Sequence, residues 1–132
     1  MKKNNSGFSL VELIIVIAIM AVLIGVLAPQ FIQYVAKSRV STDLQNIEEM
    51  VNACDTYATE HSSYTQAITF TGSTAAISSD VATEFGIAAS YTMKGDWSGL
   101  GITYTQTSGW TRTGSAAVKG GKYFLDGTFS ST

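Results

Sequence analysis

The sequence predicts an α+β chain: one long N-terminal helix packed on a small antiparallel sheet of about three strands. Three observations carry this. A nearly uncharged apolar run opens the chain, an amphipathic stretch of helical period continues it, and short alternating segments rich in Ser, Thr, Gly and aromatics close it.

The run from Phe8 to Ala28, FSLVELIIVIAIMAVLIGVLA, holds 21 residues, with Glu12 alone charged. At a helical rise of ~1.5 Å per residue it extends about 31 Å, close to the hydrocarbon thickness of a bilayer. Lys2 and Lys3 precede it, and the positive-inside rule keeps them cytoplasmic and sends the C-terminal part out. A secretory signal has a shorter apolar run followed by small residues at the cleavage point. Here the order is inverted, because Gly7 lies before the run. Cutting there would remove residues 1–7 as a leader and leave the hydrophobic helix, residues 8–28, on the mature chain.

Residues 29–61 continue as an amphipathic helix, giving one helix from Phe8 to about Glu60. Val40, Leu44, Ile47, Val51, Cys54 and Ala58 are spaced 4, 3, 4, 3, 4 and form an apolar stripe. Lys37, Arg39, Asp43, Glu48, Glu49, Asn52, Asp55 and Glu60 fall mostly elsewhere, as a solvated face or one that pairs between subunits. Pro29 deprives the Gly25 carbonyl of its helical donor, and Gly25 is a poor helix former, so residues 25–29 form a weak point.

Residues 62–132 form a globular head. Residues 62–99 read as a connecting region, with a short helix from an N-cap at Asp80 to Phe85 and Gly86 past its end. Leu100, Ile102 and Tyr104 alternate with Gly101, Thr103 and Thr105 as a strand with one apolar face. Thr107-Ser108-Gly109 ends it before Trp110, and Lys119-Gly120-Gly121-Lys122 marks the next turn, before Tyr123-Phe124-Leu125. Such a sheet is marginal by itself and needs the stripe on residues 40–58. Trp97, Trp110, Tyr104, Tyr123 and Phe124 form or edge the core, with an aromatic binding surface as the alternative.

The net charge of −2 and the lack of a basic cluster beyond Lys2-Lys3 leave no footprint for nucleic acid. Cys54 has no partner in the chain for a disulfide and reads as a small core residue. The lone histidine, His61, stands where the long helix ends, as a cap or surface residue. With no second His and no Cys cluster, neither a metal site nor any cofactor is expected. Asp96, Asp126 and Gly127 lack the pattern of a calcium loop. No Ser-His-Asp, Cys-His or paired-acid arrangement stands out, so an enzyme is not expected.

Gly7-Phe8-Ser9-Leu10-Val11-Glu12, followed by the apolar run, resembles the GFxxxE processing motif of type IV prepilins and the related type II secretion pseudopilins. The resemblance is strong over residues 1 to about 60, and the head lacks the cysteine pair that closes a C-terminal loop in many members. It implies the pilin fold, cutting between Gly7 and Phe8 by a prepilin peptidase, and N-methylation of Phe8. It further implies a single-pass membrane precursor with its head outside, then handling by pilus assembly machinery and self-association into a surface filament for adhesion, motility or DNA uptake. A carboxylate within the bilayer is costly, roughly 2.5–3.5 kcal/mol at a helix centre and less near an end. The new Phe8 amine, four residues before Glu12, could satisfy it within one subunit. In a filament a neighbour's Phe8 amine could do so, which is the role the resemblance implies. The resemblance also favours loosening of the Gly25–Pro29 stretch during packing. A secretion pseudopilin is the alternative within this class; a membrane-tethered binding module or enzyme is the alternative outside it.

Overall fold

The computed structural model describes residues 7, 9–61, 68–105 and 109–131. Lys2, Lys3, Phe8 and the turn residues Thr107 and Ser108 lie outside the described residues. The chain divides into two compact units, Met1–Tyr34 and Val35–Thr132.

Helix α1 runs Leu10–His61. It starts two residues after the expected Phe8, because Ser9 is its cap: the Ser9 carbonyl accepts the first helical bond, from Leu13 N at 3.2 Å. In the second unit, Val40, Ile47, Val51, Cys54 and Ala58 of the predicted stripe are buried and Leu44 is half-buried against them. Met50 and Ala53 widen that face.

Among the described residues seven strands follow, in two antiparallel sheets. The first sheet joins β1 (Thr69–Thr71), β2 (Thr74–Ala76) and β3 (Ser90–Thr92) in that order. The second joins β4 (Trp97–Thr105), β5 (Gly109–Val118), β6 (Gly121–Phe124) and β7 (Phe129–Ser130) in chain order. An isolated antiparallel bridge, Ile68 to Ile102, links the two regions, and both residues are buried. The α+β class therefore holds, with more sheet than expected. The segment 62–99, expected as a connection, supplies β1–β3, whose inward residue Ala75 is fully buried. The C-terminal sheet has four strands, since the chain turns at Asp126-Gly127-Thr128 and adds β7. Asp126 holds that turn by accepting from Thr128 N at 2.9 Å and Thr128 Oγ1 at 2.6 Å. These bonds keep its carboxyl below the usual range.

Between β2 and β3 lies α2 (Ser79–Phe85). Its N-cap is Ser78 and not Asp80: Ser78 is extended and its hydroxyl accepts from Val81 N. Asp80 instead sits in the first turn, where its charge complements the helix dipole. Gly86 ends the helix in the left-handed conformation at φ 65°, as its position predicts. At the β5–β6 hairpin, Val118 pairs with Gly121 across the two-residue turn Lys119-Gly120.

The aromatic residues divide between core and edge. Trp97 is buried, Trp110 and Tyr123 are half-buried against the core, and Tyr104 meets Trp110 edge-on at 5.3 Å. Phe124 lies under the Lys122 ammonium at 5.3 Å.

Candidate functional site

Every large apolar side chain from Leu10 to Tyr34 is at least 50% exposed. Removing such a side chain from water is worth about 1.5–3 kcal/mol, so a surface of this size calls for lipid or another apolar surface around it. α1 contains a stretch long and apolar enough to cross a membrane, with none of it buried within the structure.

Glu12 begins this stretch with a specific local role. Ser9 N donates to Glu12 Oε2 at 3.2 Å, and Glu12 N donates to Ser9 Oγ at 3.3 Å. This reciprocal pair is a capping box, and it satisfies two amide donors that a helix start leaves open. The S-x-x-E spacing that specifies it, Ser9-Leu10-Val11-Glu12, was legible in the sequence beside the membrane reading of the same acid. Gly7 is exposed, whereas Phe8 lies outside the described residues, so the Phe8–Glu12 pairing has no geometry here. Residues 25–29 are helical, with Pro29 inside α1 and open space around the Cα of Gly25.

In the second unit the most constrained polar group is Asp43, which is fully buried on α1. Its placement corrects the expected solvated face: three residues after Val40 and four before Ile47, it belongs to the buried stripe. Oδ1 accepts from the Tyr91 hydroxyl at 2.7 Å and from Lys94 N at 2.9 Å. Oδ2 accepts from Gly95 N at 2.7 Å and Trp97 Nε1 at 2.8 Å, with Lys94 N also 3.0 Å away. Four donors thus converge on one carboxylate from β3, β4 and the loop between them. A buried charge survives only when satisfied in this way. Gly95 makes the approach possible, since a Cβ there would stand 3.1 Å from Asp43 Oδ2 and 2.9 Å from the Trp97 indole nitrogen. Burial pushes the Tyr91 hydroxyl up to about 12, with the Asp43 hydrogen bond and charge adding to it.

Two further acids of α1 hold β5. Arg112 pairs with Glu48 at 2.6 Å, and Trp110 Nε1 donates to Asp55 Oδ1 at 3.1 Å. Cys54 is buried and unpaired, and burial raises its thiol to about 11, so it is an inert core group.

Residues 2–28 match the family described as the prokaryotic N-terminal methylation motif. The type IV major fimbrial protein FimA of Dichelobacter nodosus is 39% identical over 56 residues, 42% of this chain and 36% of that protein. The type IV major pilin protein PilA of Myxococcus xanthus is 34% identical over 61 residues, 46% of this chain and 28% of that protein. The match thus spans about a third of the length of these relatives. No solved structure matches the chain.

Proposed function

We propose, from an N-terminal region that is type IV pilin-like by its motif and by its relatives, that this chain is a structural subunit of a type IV pilus. A prepilin peptidase cuts between Gly7 and Phe8, the amine of Phe8 is methylated, and the helix waits in the membrane with residues 35–132 outside. Assembly machinery then moves the helix from lipid into the apolar core of a helical filament made of copies of the chain, on the cell surface. The observation that carries this reading is the exposed apolar surface from Leu10 to Tyr34, interrupted by one acid at its start. A simple anchor could use Glu12 to cap its first turn, but it needs no charge there for any contact between subunits. A carboxylate one turn into the helix rewards docking in a single axial register, where a neighbour's Phe8 amine meets it.

Mass spectrometry of the N-terminal peptide from cells tests the reading. A chain starting at N-methylated Phe8 is the expected result. Surface-exposed protein that retains Lys2 and Lys3 would refute it.

A further inference from the structure

His61 closes α1, and its ring is held on two sides. Nδ1 lies 3.1 Å from the carbonyl oxygen of Tyr57, and the ring stacks on that of Tyr57 with centroids 4.0 Å apart and planes at 14°. A carbonyl only accepts, so Nδ1 carries the hydrogen and donates. In the neutral ring Nε2 then presents a lone pair, and it faces Glu84 Oε2 of α2 at 3.7 Å. Glu60 completes the group, since one ligand atom from each of Glu60, His61 and Glu84 lies within 4.8 Å of the others.

Two acceptors facing one another at an exposed site, with a second carboxylate beside them, leave room for a positive charge between them. A hydrogen bond serves poorly, because 3.7 Å exceeds the ~2.7–3.2 Å of a good N–H···O contact. A metal ion serves better: ligands bound at about 2.0–2.2 Å to one tetrahedral ion stand roughly 3.3–3.6 Å apart, which small side-chain movements from the observed 3.7 Å would reach. The bond from Nδ1 to a backbone carbonyl is the outer contact that metal-binding histidines use to fix their tautomer. Imidazole with two carboxylates suits zinc and its neighbours, whereas calcium and magnesium favour six or more oxygen ligands.

We propose that Glu60, His61 and Glu84 bind one divalent ion of the zinc class, clamping the end of α1 to α2. Three side chains leave a coordination position open for solvent or for a group from another molecule. Spacing along the chain could not reveal this site, because Glu84 comes from a different helix. The site lies outside the residues used in the filament reading and stands or falls independently of it.

The experiment titrates Zn2+ alone into the full-length, tag-free protein in detergent micelles, by calorimetry and by thermal melting. A Cys54→Ala background removes the only thiol. One Zn2+ per chain and a rise in Tm are expected. His61→Ala and Glu84→Gln should each weaken binding about tenfold or more and abolish the rise. Ca2+ at the same concentration should leave Tm unchanged. Because the three side chains are exposed, the variants should melt like the parent without metal; the isosteric Glu84→Gln decides alone if His61→Ala fails to fold. Equal Zn2+ affinity in parent and Glu84→Gln, or a Ca2+ shift as large as that of Zn2+, would overturn the proposal.

Discussion

Replacing Asp43 by alanine removes the acceptor on which four donors converge: the Tyr91 hydroxyl, the amides of Lys94 and Gly95, and the Trp97 indole. Each buried donor left without a partner costs about 1–3 kcal/mol, so four of them sum to about 4–12 kcal/mol, comparable with the whole stability of a domain of this size. Three effects reduce the sum. The Tyr91 hydroxyl can rotate, water can enter the vacated space, and the penalty for burying a carboxylate disappears with it. Loss of one member of a buried charged network is worth about 3–5 kcal/mol, and that is the expected cost. For a unit of roughly 100 residues, 1 kcal/mol corresponds to about 4–8 °C, so the melting temperature should fall on the order of 15–30 °C. Asp43→Asn should fall between the two. One amide oxygen can keep Gly95 N and Trp97 Nε1, while the NH2 group confronts the amide of Lys94, at a cost on the order of 2 kcal/mol. The assay is thermal melting of the full chain in micelles, followed by tryptophan fluorescence. An Asp43→Ala protein melting within about 5 °C of the parent would refute the reasoning, since the carboxylate would then not be what holds the loop before β4.

Gly95→Ala should destabilise by about 1–3 kcal/mol, because the added methyl is pressed between the Trp97 indole and the Asp43 carboxylate; an unchanged melt would show that the loop gives way freely. Glu48→Gln should cost no more than about 1 kcal/mol in the same melt, since its pair with Arg112 is half exposed to water. Alkaline stability has a worked sign. The Tyr91 and Cys54 acids are raised in the folded chain to about 12 and about 11, so their contribution is full below their ordinary values near 10 and 9 and is lost as pH rises towards the folded ones. Melting temperature should therefore decline between pH 9 and 12, and Cys54→Ala should flatten the lower part of that decline.

Much of α1 was legible because both of its halves are periodic or uniformly apolar over many turns. What escaped was the polar member of the stripe. Reading the stripe from apolar residues alone steps from Val40 to Leu44 and passes over Asp43, although the buried face of α1 includes it between Val40 and Ile47. Its partners are two backbone amides, an indole and a phenol from residues 91–97, and no spacing rule connects these to position 43. The sheet of β1–β3 was illegible for a different reason. Strands of three residues made of Thr, Ala, Ser, Phe and Tyr are too short for alternation to register, and they exist because their neighbours and the core hold them. At α2 the end was legible from Gly86, whereas Ser78, Ser79 and Asp80 are all good caps and only packing chooses among them.

The capping box at the start of α1 sharpens the role assigned to Glu12. In the free chain its carboxylate accepts from Ser9 N and thereby stabilises the first turn, a contribution of about 0.5–2 kcal/mol together with the Ser9 hydroxyl. A filament contact from a neighbouring Phe8 amine must compete with that bond, and the two roles separate by mutation. Ser9→Ala removes the hydroxyl half of the box but leaves the charge, so membrane insertion should persist and filament number should fall little. Glu12→Val removes the charge, makes the apolar run continuous and should insert at least as well, yet filament number should collapse. Counting filaments by electron microscopy, with membrane fractions as the control for insertion, compares the two variants directly. Equal loss in both would mean that Glu12 acts only by capping α1. Normal filament numbers with Glu12→Val would remove the intersubunit pairing altogether.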